Sequence, residues 1–148
     1  MIKQISIKTK FGWISAFEQN GKIYKVKFVK CKNISASNNL KKFKSSLNNF
    51  LTKKTKLLQF NILIKGNPVQ KKIWNELKKI KFGQTKSYGS IAKKYKLSPR
   101  YVGKICGQNK IPLAIPCHRV IKSDGSLGGF SARGGIVLKK KLLDFEKN

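Results

Sequence analysis

Apolar residues alternate with polar ones from Lys3 to Lys30, as in Ile5-Ser6-Ile7-Lys8 and Val26-Lys27-Phe28-Val29, whereas beyond Asn38 they recur at helical spacing. That change of period makes the chain α+β. Asn20-Gly21 lies between alternating runs and is the strongest short hairpin signal, so the first segment reads as a small antiparallel meander broken at Gly12 and at this turn. From Asn38 to Thr52, the positions of Leu40, Phe43, Leu47, Phe50 and Leu51 predict one amphipathic helix. Gln59 to Ile64 reads as a further strand, and Gly66-Asn67-Pro68 then punctuates the chain. The expected organisation is an N-terminal strand-and-helix lobe over 1–65 and a C-terminal lobe over 66–148.

Helices dominate the expected second lobe. Asn67 is a good N-cap with Pro68 at the first helical position, and Val69, Ile73, Trp74, Leu77 and Ile80 form one apolar stripe until Gly83. A short helix from Tyr88 to Lys94, a Leu97-Ser98-Pro99 turn and a second helix from Arg100 to Cys106, capped by Ser98 and ended by Gly107, predict a helix-turn-helix. Lys139 to Phe145, with Leu138, Leu142 and Leu143, makes a closing helix. A glycine inside a helix costs about 1 kcal/mol against alanine, so Gly103 and Gly107 need a reason. Close helix packing is one reason, and a smooth face that lets the helix backbone approach a nucleic acid groove is the other.

At 148 residues the chain is one domain's worth, and 40% hydrophobic residues exclude a disordered basic tail. Thirty-four basic residues against five acidic ones give +29, which points to a polyanionic partner, nucleic acid or an anionic membrane surface. Runs such as Lys139-Lys140-Lys141 also reflect an A/T-rich coding bias and read as solvated surface. Against that background Arg100, Arg119 and Arg133 stand out as positions where a planar guanidinium is wanted. No stretch approaches the roughly 20 apolar residues of a membrane span and no signal-like segment opens the chain, so a cytoplasmic monomer is expected. Cys31, Cys106 and Cys117 with one histidine provide neither a disulfide framework nor a standard zinc site. Reduced thiols, no metal and no cofactor are expected, with a mixed site on Cys31 left open.

The most specific segment is Ile115-Pro116-Cys117-His118-Arg119-Val120, with Asn109 eight residues before Cys117. Cys31 and Cys106 read as ordinary core cysteines. Cys117 adjoins the only histidine and Arg119, cationic surroundings that lower a thiol's pKa. On an extended segment Cys117 and His118 would point to opposite faces, so a bridging water is needed to link them. The carboxylate that orients the histidine is one of Glu18, Glu76, Asp124, Asp144 and Glu146.

This segment, with Asn109 upstream and Gly129-Phe130-Ser131 beyond, resembles the signature of the O6-alkylguanine-DNA alkyltransferases, over roughly Asn67 to Glu146. The resemblance implies a ribonuclease H-like N-terminal lobe and a single-turnover transfer of an alkyl group from guanine O6 in double-stranded DNA to Cys117, with O4-alkylthymine a second candidate substrate. It also implies that His118 takes the thiol proton through water, that Glu146 holds the imidazole and that Asn109 braces the turn. Tyr88 would contact a phosphate and protonate the departing base, while Arg100 fills the gap left by the extruded nucleotide. Ser87, Gly103, Lys104 and Gly107 would complete the DNA-facing surface. Phe130, Ser131, Val120 and Cys106 would line the substrate pocket, Phe130 standing where some members have a tyrosine.

Overall fold

The computed structural model describes residues 2–34, 37–130 and 132–147, and the chain divides into two compact units, Met1–Lys65 and Gly66–Asn148. In the first unit, β1 (Ile2–Thr9), β2 (Gly12–Gln19) and β3 (Lys22–Lys27) form an antiparallel sheet in the order β1-β2-β3. Asn20 and Gly21 both have positive φ, 53° and 77°, as the two-residue turn matching the twist of its flanking strands requires. Helix α1 (Asn38–Leu51) starts at Ser37, whose hydroxyl accepts the Leu40 amide, and buries Leu40, Phe43, Leu47 and Phe50 beneath the sheet residues Ile14, Ala16, Ile23 and Val26. Glu18 is buried on β2 and accepts the Ser37 hydroxyl, so the charge is satisfied where the helix begins.

Gln59 to Ile64 is not the strand that its apolar run predicts. It makes one parallel bridge, Ile23 with Ile62, in which the Ile23 amide donates to the Asn61 carbonyl at 2.9 Å and the Leu63 amide to the Ile23 carbonyl at 2.8 Å. The Asn39 side chain donates to the Asn61 carbonyl at 3.0 Å and accepts the Asn61 amide at 2.9 Å. A helix side chain therefore holds this segment alongside the single bridge that joins it to β3.

In the second unit, α2 (Pro68–Leu77) begins with a capping box in which Asn67 accepts the Gln70 amide at 2.8 Å and the Gln70 side chain accepts the Asn67 amide at 2.9 Å. The helix is shorter than its apolar stripe: it ends at Leu77, Ile80 is buried in the turn that follows, and Val69 is 37% exposed. Trp74 lies across α4 and its indole N–H donates to the Ile105 carbonyl at 3.0 Å. Helix α3 (Tyr88–Tyr95) ends at Lys96 in the left-handed conformation, and α4 (Pro99–Gly107) starts after Ser98, whose hydroxyl accepts the Tyr101 amide at 3.1 Å. A two-stranded parallel ladder, β4 (Lys86–Ser87) with β5 (Val120–Ile121), joins the start of α3 to the chain beyond Cys117. Strands this short carry no periodicity, which is why alternation does not reveal them. Helix α5 (Gly135–Lys147) closes the unit and buries Leu138, Leu142 and Leu143.

Glu76 joins three of these elements. Its carboxylate is buried and accepts from Tyr95 Oη at 2.7 Å, Lys94 at 3.0 Å, Lys86 at 3.3 Å and Lys79 at 3.4 Å. Burial pushes its pKa up, but these donors more than reverse that and bring it from 4.5 to about 2. A depressed folded-state pKa contributes stability that is present above the unfolded value and is lost as pH falls toward the folded one. Thermal melts followed by circular dichroism should therefore lose Tm between about pH 4.5 and 2. Glu76→Gln should cost about 1–3 kcal/mol at neutral pH, as for an unsatisfied buried partner, and flatten that fall. A variant that keeps both the Tm and the full acid fall of the wild type would refute the role of this hub.

Candidate active site

Asn109 sets the geometry of the reactive segment. Its side-chain amide donates to the Ile115 carbonyl at 2.8 Å and its oxygen accepts the Ile111 amide at 2.9 Å, closing the loop that leads to Pro116. Cys117, His118 and Arg119 then form one turn of 3-10 helix, with the Cys117 amide bonded to the Ile115 carbonyl at 2.8 Å and the Arg119 amide to the Pro116 carbonyl at 3.0 Å. The segment is therefore not the extended one on which Cys117 and His118 would point to opposite faces. With about three residues per turn, neighbouring side chains diverge by roughly a third of a circle rather than a half, so His118 need not face away from Cys117.

Cys117 lines a cavity of about 700 Å³. Tyr88, Arg100, Gly103, Cys106, Gly107 and Phe130 share that lining, together with Lys122 and Ser123, which the sequence did not single out. An added Cβ at Gly107 would meet nothing within 4 Å, and at Gly103 it would only touch the Tyr88 ring at 3.8 Å. Close packing therefore does not explain these two glycines; they leave one face of α4 open. Gly128 does need to be glycine, with φ of 73° and an added Cβ only 3.0 Å from the Tyr88 ring.

Three further residues singled out in the sequence do not line the cavity. Val120 is fully buried in the core on β5, paired with Lys86, and is not part of the cavity lining. Ser87 caps α3, its hydroxyl accepting the Ser90 amide at 3.0 Å, and Lys104 is exposed outside the cavity lining. Ser131 lies outside the described residues.

Behind Cys117 sits a buried charged cluster. His118 Nε2 is 2.9 Å from Glu146 Oε2, and Arg119 grips the same carboxylate with Nε on Oε1 and Nη2 on Oε2, both at 2.8 Å. Arg119 Nη1 donates to the Ile80 carbonyl at 2.8 Å. The other carboxylates are committed: Glu18 to Ser37, Glu76 to its lysines, Asp124 to the Ser126 turn and Asp144 to Lys140. Burial raises the pKa of Glu146, but His118 and Arg119 bring it down to about 2, so it is ionised. Burial lowers the pKa of His118, so its ring is neutral with Nε2–H on Glu146. His118 Nδ1 is then a buried lone pair with no hydrogen-bond partner among the described residues.

The thiol departs from expectation. Burial pushes the Cys117 pKa up, and the Asn109 hydrogen bond and Lys139 charge only partly oppose it. Arg119 does not help because its charge is spent on Glu146. Cys117 rests as a thiol that needs a base. Burial also raises Cys106 and Tyr88, each to about 12.

Lys139 belongs to a lysine run whose sequence reads as solvated surface, and the structure places it differently. It is fully buried and reaches Tyr88 Oη and three backbone carbonyls. The signal was present: residues 139, 142, 143 and 146 follow the i, i+3, i+4, i+7 rule for one helix face. Among the described residues no cluster of three or more His, Cys, Asp or Glu could hold a metal, and no helix is long and apolar enough to cross a membrane.

The family model described as "6-O-methylguanine DNA methyltransferase, DNA binding domain" matches residues 68–148. A curated methylated-DNA–protein-cysteine methyltransferase of Metallosphaera sedula is 36% identical over 149 aligned residues, 99% of this chain and 94% of that protein. One from Methanocaldococcus vulcanius is 54% identical over 77 residues, which is 52% of this chain and 46% of that protein. Among solved structures, Mycobacterium tuberculosis O6-methylguanine methyltransferase superposes with a TM-score of 0.86 at 25% identity, covering 99% of this chain and 93% of that one. The crystal structure of Mycobacterium tuberculosis OGT in complex with DNA gives 0.84 at 25% identity, covering 97% and 92%.

Proposed function

Because this chain belongs to the methylated-DNA–protein-cysteine methyltransferase family, we propose that it repairs DNA by direct reversal, moving the alkyl group of an O6-alkylguanine irreversibly onto Cys117. The observation that carries this reading is a cavity-lining cysteine backed by a buried neutral histidine on an ionised carboxylate.

The chemistry follows from those states. The Cys117 proton passes through one water to the free Nδ1 lone pair of His118, and Glu146, held by Arg119, stabilises the imidazolium that forms. The Cys117 sulfur then forms a bond to the alkyl carbon as the carbon–O6 bond breaks, and guanine leaves with its electron pair. Tyr88, whose raised pKa keeps it protonated at rest, supplies the proton that neutralises the departing base. The product is a thioether. Water has no ready route to cleave it, so one protein molecule performs one repair.

A base stacked in a duplex offers no in-line approach to its O6 substituent, so the nucleotide must leave the stack. We read α3 and α4 as a helix-turn-helix whose open Gly103 and Gly107 face lets the backbone come close to the groove. Arg100, exposed at the rim of the same cavity, is the guanidinium placed to occupy the vacated position. Phe130 forms part of the wall beside the flipped base. The N-terminal unit is read as ribonuclease H-like. The protein is proposed to act as a cytoplasmic monomer on double-stranded DNA, its lysines making contacts to phosphate.

The decisive experiment is intact-protein mass spectrometry after incubation with a duplex carrying one O6-methylguanine, followed by peptide mapping. One added methyl on the peptide that contains Cys117, with guanine restored in the DNA and no second turnover, is the expected result. Tight duplex binding without any mass change would overturn the reading.

A further inference from the structure

Residues 1–65, the first unit, hold fifteen lysines and a single acidic residue, Glu18, for a net charge of +14. Glu18 is buried and accepts the Ser37 hydroxyl, so among the described residues no carboxylate reaches the surface of this unit. An A/T-rich coding bias accounts for lysine in place of arginine. It does not account for the missing acids, because GAA and GAT serve glutamate and aspartate within the same bias. A surface of one sign repels itself, and that repulsion is relieved when a polyanion binds.

The helix α1 gathers this charge. Its apolar side packs Leu40, Phe43, Leu47 and Phe50 against the sheet, which leaves Lys41, Lys42, Lys44, Ser45 and Asn48 exposed. Lys41, Lys42 and Lys44 make no ion pair among the described residues. They occupy the first two turns, where the aligned peptide dipoles are already positive and no acidic residue of the first turn offsets them. A groove lies along each flank of the helix. One, of about 490 Å³, runs between α1 and the end of β1 and is lined by Lys8, Lys10, Lys41, Lys44 and Asn48. The other, of about 720 Å³, is lined by Lys42 and Asn49 of α1 with Thr55 and Lys56 of the chain that follows. Ser45 lines both, so α1 is a ridge with a basic trough on either side.

Lysine, serine, threonine and asparagine side chains are the ones that meet phosphate oxygens at protein–DNA interfaces, and such contacts carry no sequence information. The major groove of a duplex, about 12 Å wide, admits an α-helix with a phosphate backbone on each flank, which is where the two troughs lie. An anionic membrane asks instead for an apolar helix face turned outward beside the lysines, and the apolar face of α1 is already buried.

We propose that α1 and its two troughs form a second duplex-binding surface, independent of sequence and outside the cavity of Cys117, that holds DNA through its backbone phosphates. The inference rests on the repair reading only for the choice of DNA as the polyanion. Its use is in the search. A protein that reacts once must find one altered guanine among unmodified ones, and electrostatic contacts of this kind let it stay on a duplex while it moves.

The test compares, in the full chain, Lys41→Gln/Lys42→Gln/Lys44→Gln with a control of equal charge, Lys22→Gln/Lys27→Gln/Lys32→Gln. Glutamine is close to lysine in helix propensity, so α1 should persist, and circular dichroism checks that it does. Lys22 and Lys27 neighbour the core residues Ile23 and Val26 on β3 and so point to the other face of the sheet. Fluorescence anisotropy then reads affinity for an unmodified duplex as a function of salt. Each lost phosphate contact flattens the slope of log K against log salt by about 0.9, so the α1 variant should lose about 2–3 from that slope and about 10²-fold in affinity at low salt. The control should keep the wild-type slope to within about 1. Methylation of Cys117 by a saturating O6-methylguanine duplex should retain the wild-type rate in both variants, since α1 contributes nothing to the cavity lining. Equal losses in the two variants would reveal a general effect of charge and overturn the inference. An unchanged slope in the α1 variant would overturn it as well, as would a loss of binding to phosphatidylserine vesicles in place of duplex. A wild type that binds duplex but transfers no methyl group defeats the repair reading alone, because the anisotropy still judges this surface.

Discussion

Cys117→Ala is expected to abolish methyl transfer completely while leaving affinity for an O6-methylguanine duplex within a fewfold of the wild type. The change removes the sulfur and little else. Cys117 is buried at the inner wall of the cavity, whereas Arg100, Gly103 and Gly107, the residues proposed to meet DNA, lie on α4 and owe nothing to the thiol. Cys106 lines the same cavity but is no substitute nucleophile, because burial holds its pKa at about 12 and the proposed base, His118 Nδ1, belongs to the turn that carries Cys117. Intact mass after incubation with the alkylated duplex reads the transfer, and fluorescence anisotropy reads the binding. Undiminished methyl transfer by the alanine variant would end the assignment of Cys117 as acceptor. Binding lost together with transfer would mean that the thiol supports the DNA-facing surface as well.

Glu146→Gln should produce the second large effect, on two observables at once. The carboxylate carries two hydrogen bonds from Arg119 and one contact from His118, all between 2.8 and 2.9 Å and all buried. Glutamine has nearly the same shape but no charge, and its amide presents N–H groups to a partner that has only donors. Arg119 is then a buried cation without a counter-ion, a loss of about 3–5 kcal/mol for a broken buried pair. His118 loses the acceptor that fixes its Nε2–H tautomer and the charge that stabilises its imidazolium, so transfer should slow by about 10²–10⁴-fold. Thermal melts and single-turnover rates on the same preparation check both. A variant with wild-type Tm and a rate within twofold would show that the cluster neither holds the unit together nor prepares the base.

Much of the architecture is written locally. Asn20-Gly21 turns the chain because both positions need positive φ, and Ser37, Asn67, Ser87 and Ser98 start helices because each side chain accepts an orphan amide of the first turn. The punctuation at Gly66 marks the start of the second unit for the same kind of reason: Asn67 and Pro68 favour a helix start wherever they occur. The residues proposed to react stand out in the sequence as well. A cysteine beside the only histidine and an arginine, with an asparagine eight residues before, is a rare enough sequence to carry its chemistry with it.

What failed to be legible depends on partners far along the chain. Gln59 to Ile64 has the apolar content of a strand, but it makes a single bridge to β3 and is held besides by the Asn39 side chain. Val69 fits the helical stripe, yet it is 37% exposed, and Val120 follows the Cys117 turn but packs into the core. Lys139 sits in a lysine run that looks solvated, and only the fold brings three carbonyls and a tyrosine around its ammonium. The thiol's direction of shift reversed for a similar reason, since the nearby arginine is neutralised by Glu146 and burial prevails. The sequence by itself determined where turns and helix starts fall, because caps, φ preferences and periodicity act within a few residues. Only the tertiary structure decided which carboxylate serves the histidine, which lysine is buried and whether the thiol rests protonated. Burial and charge are set by everything that packs around a group, and most of what packs there comes from elsewhere in the chain.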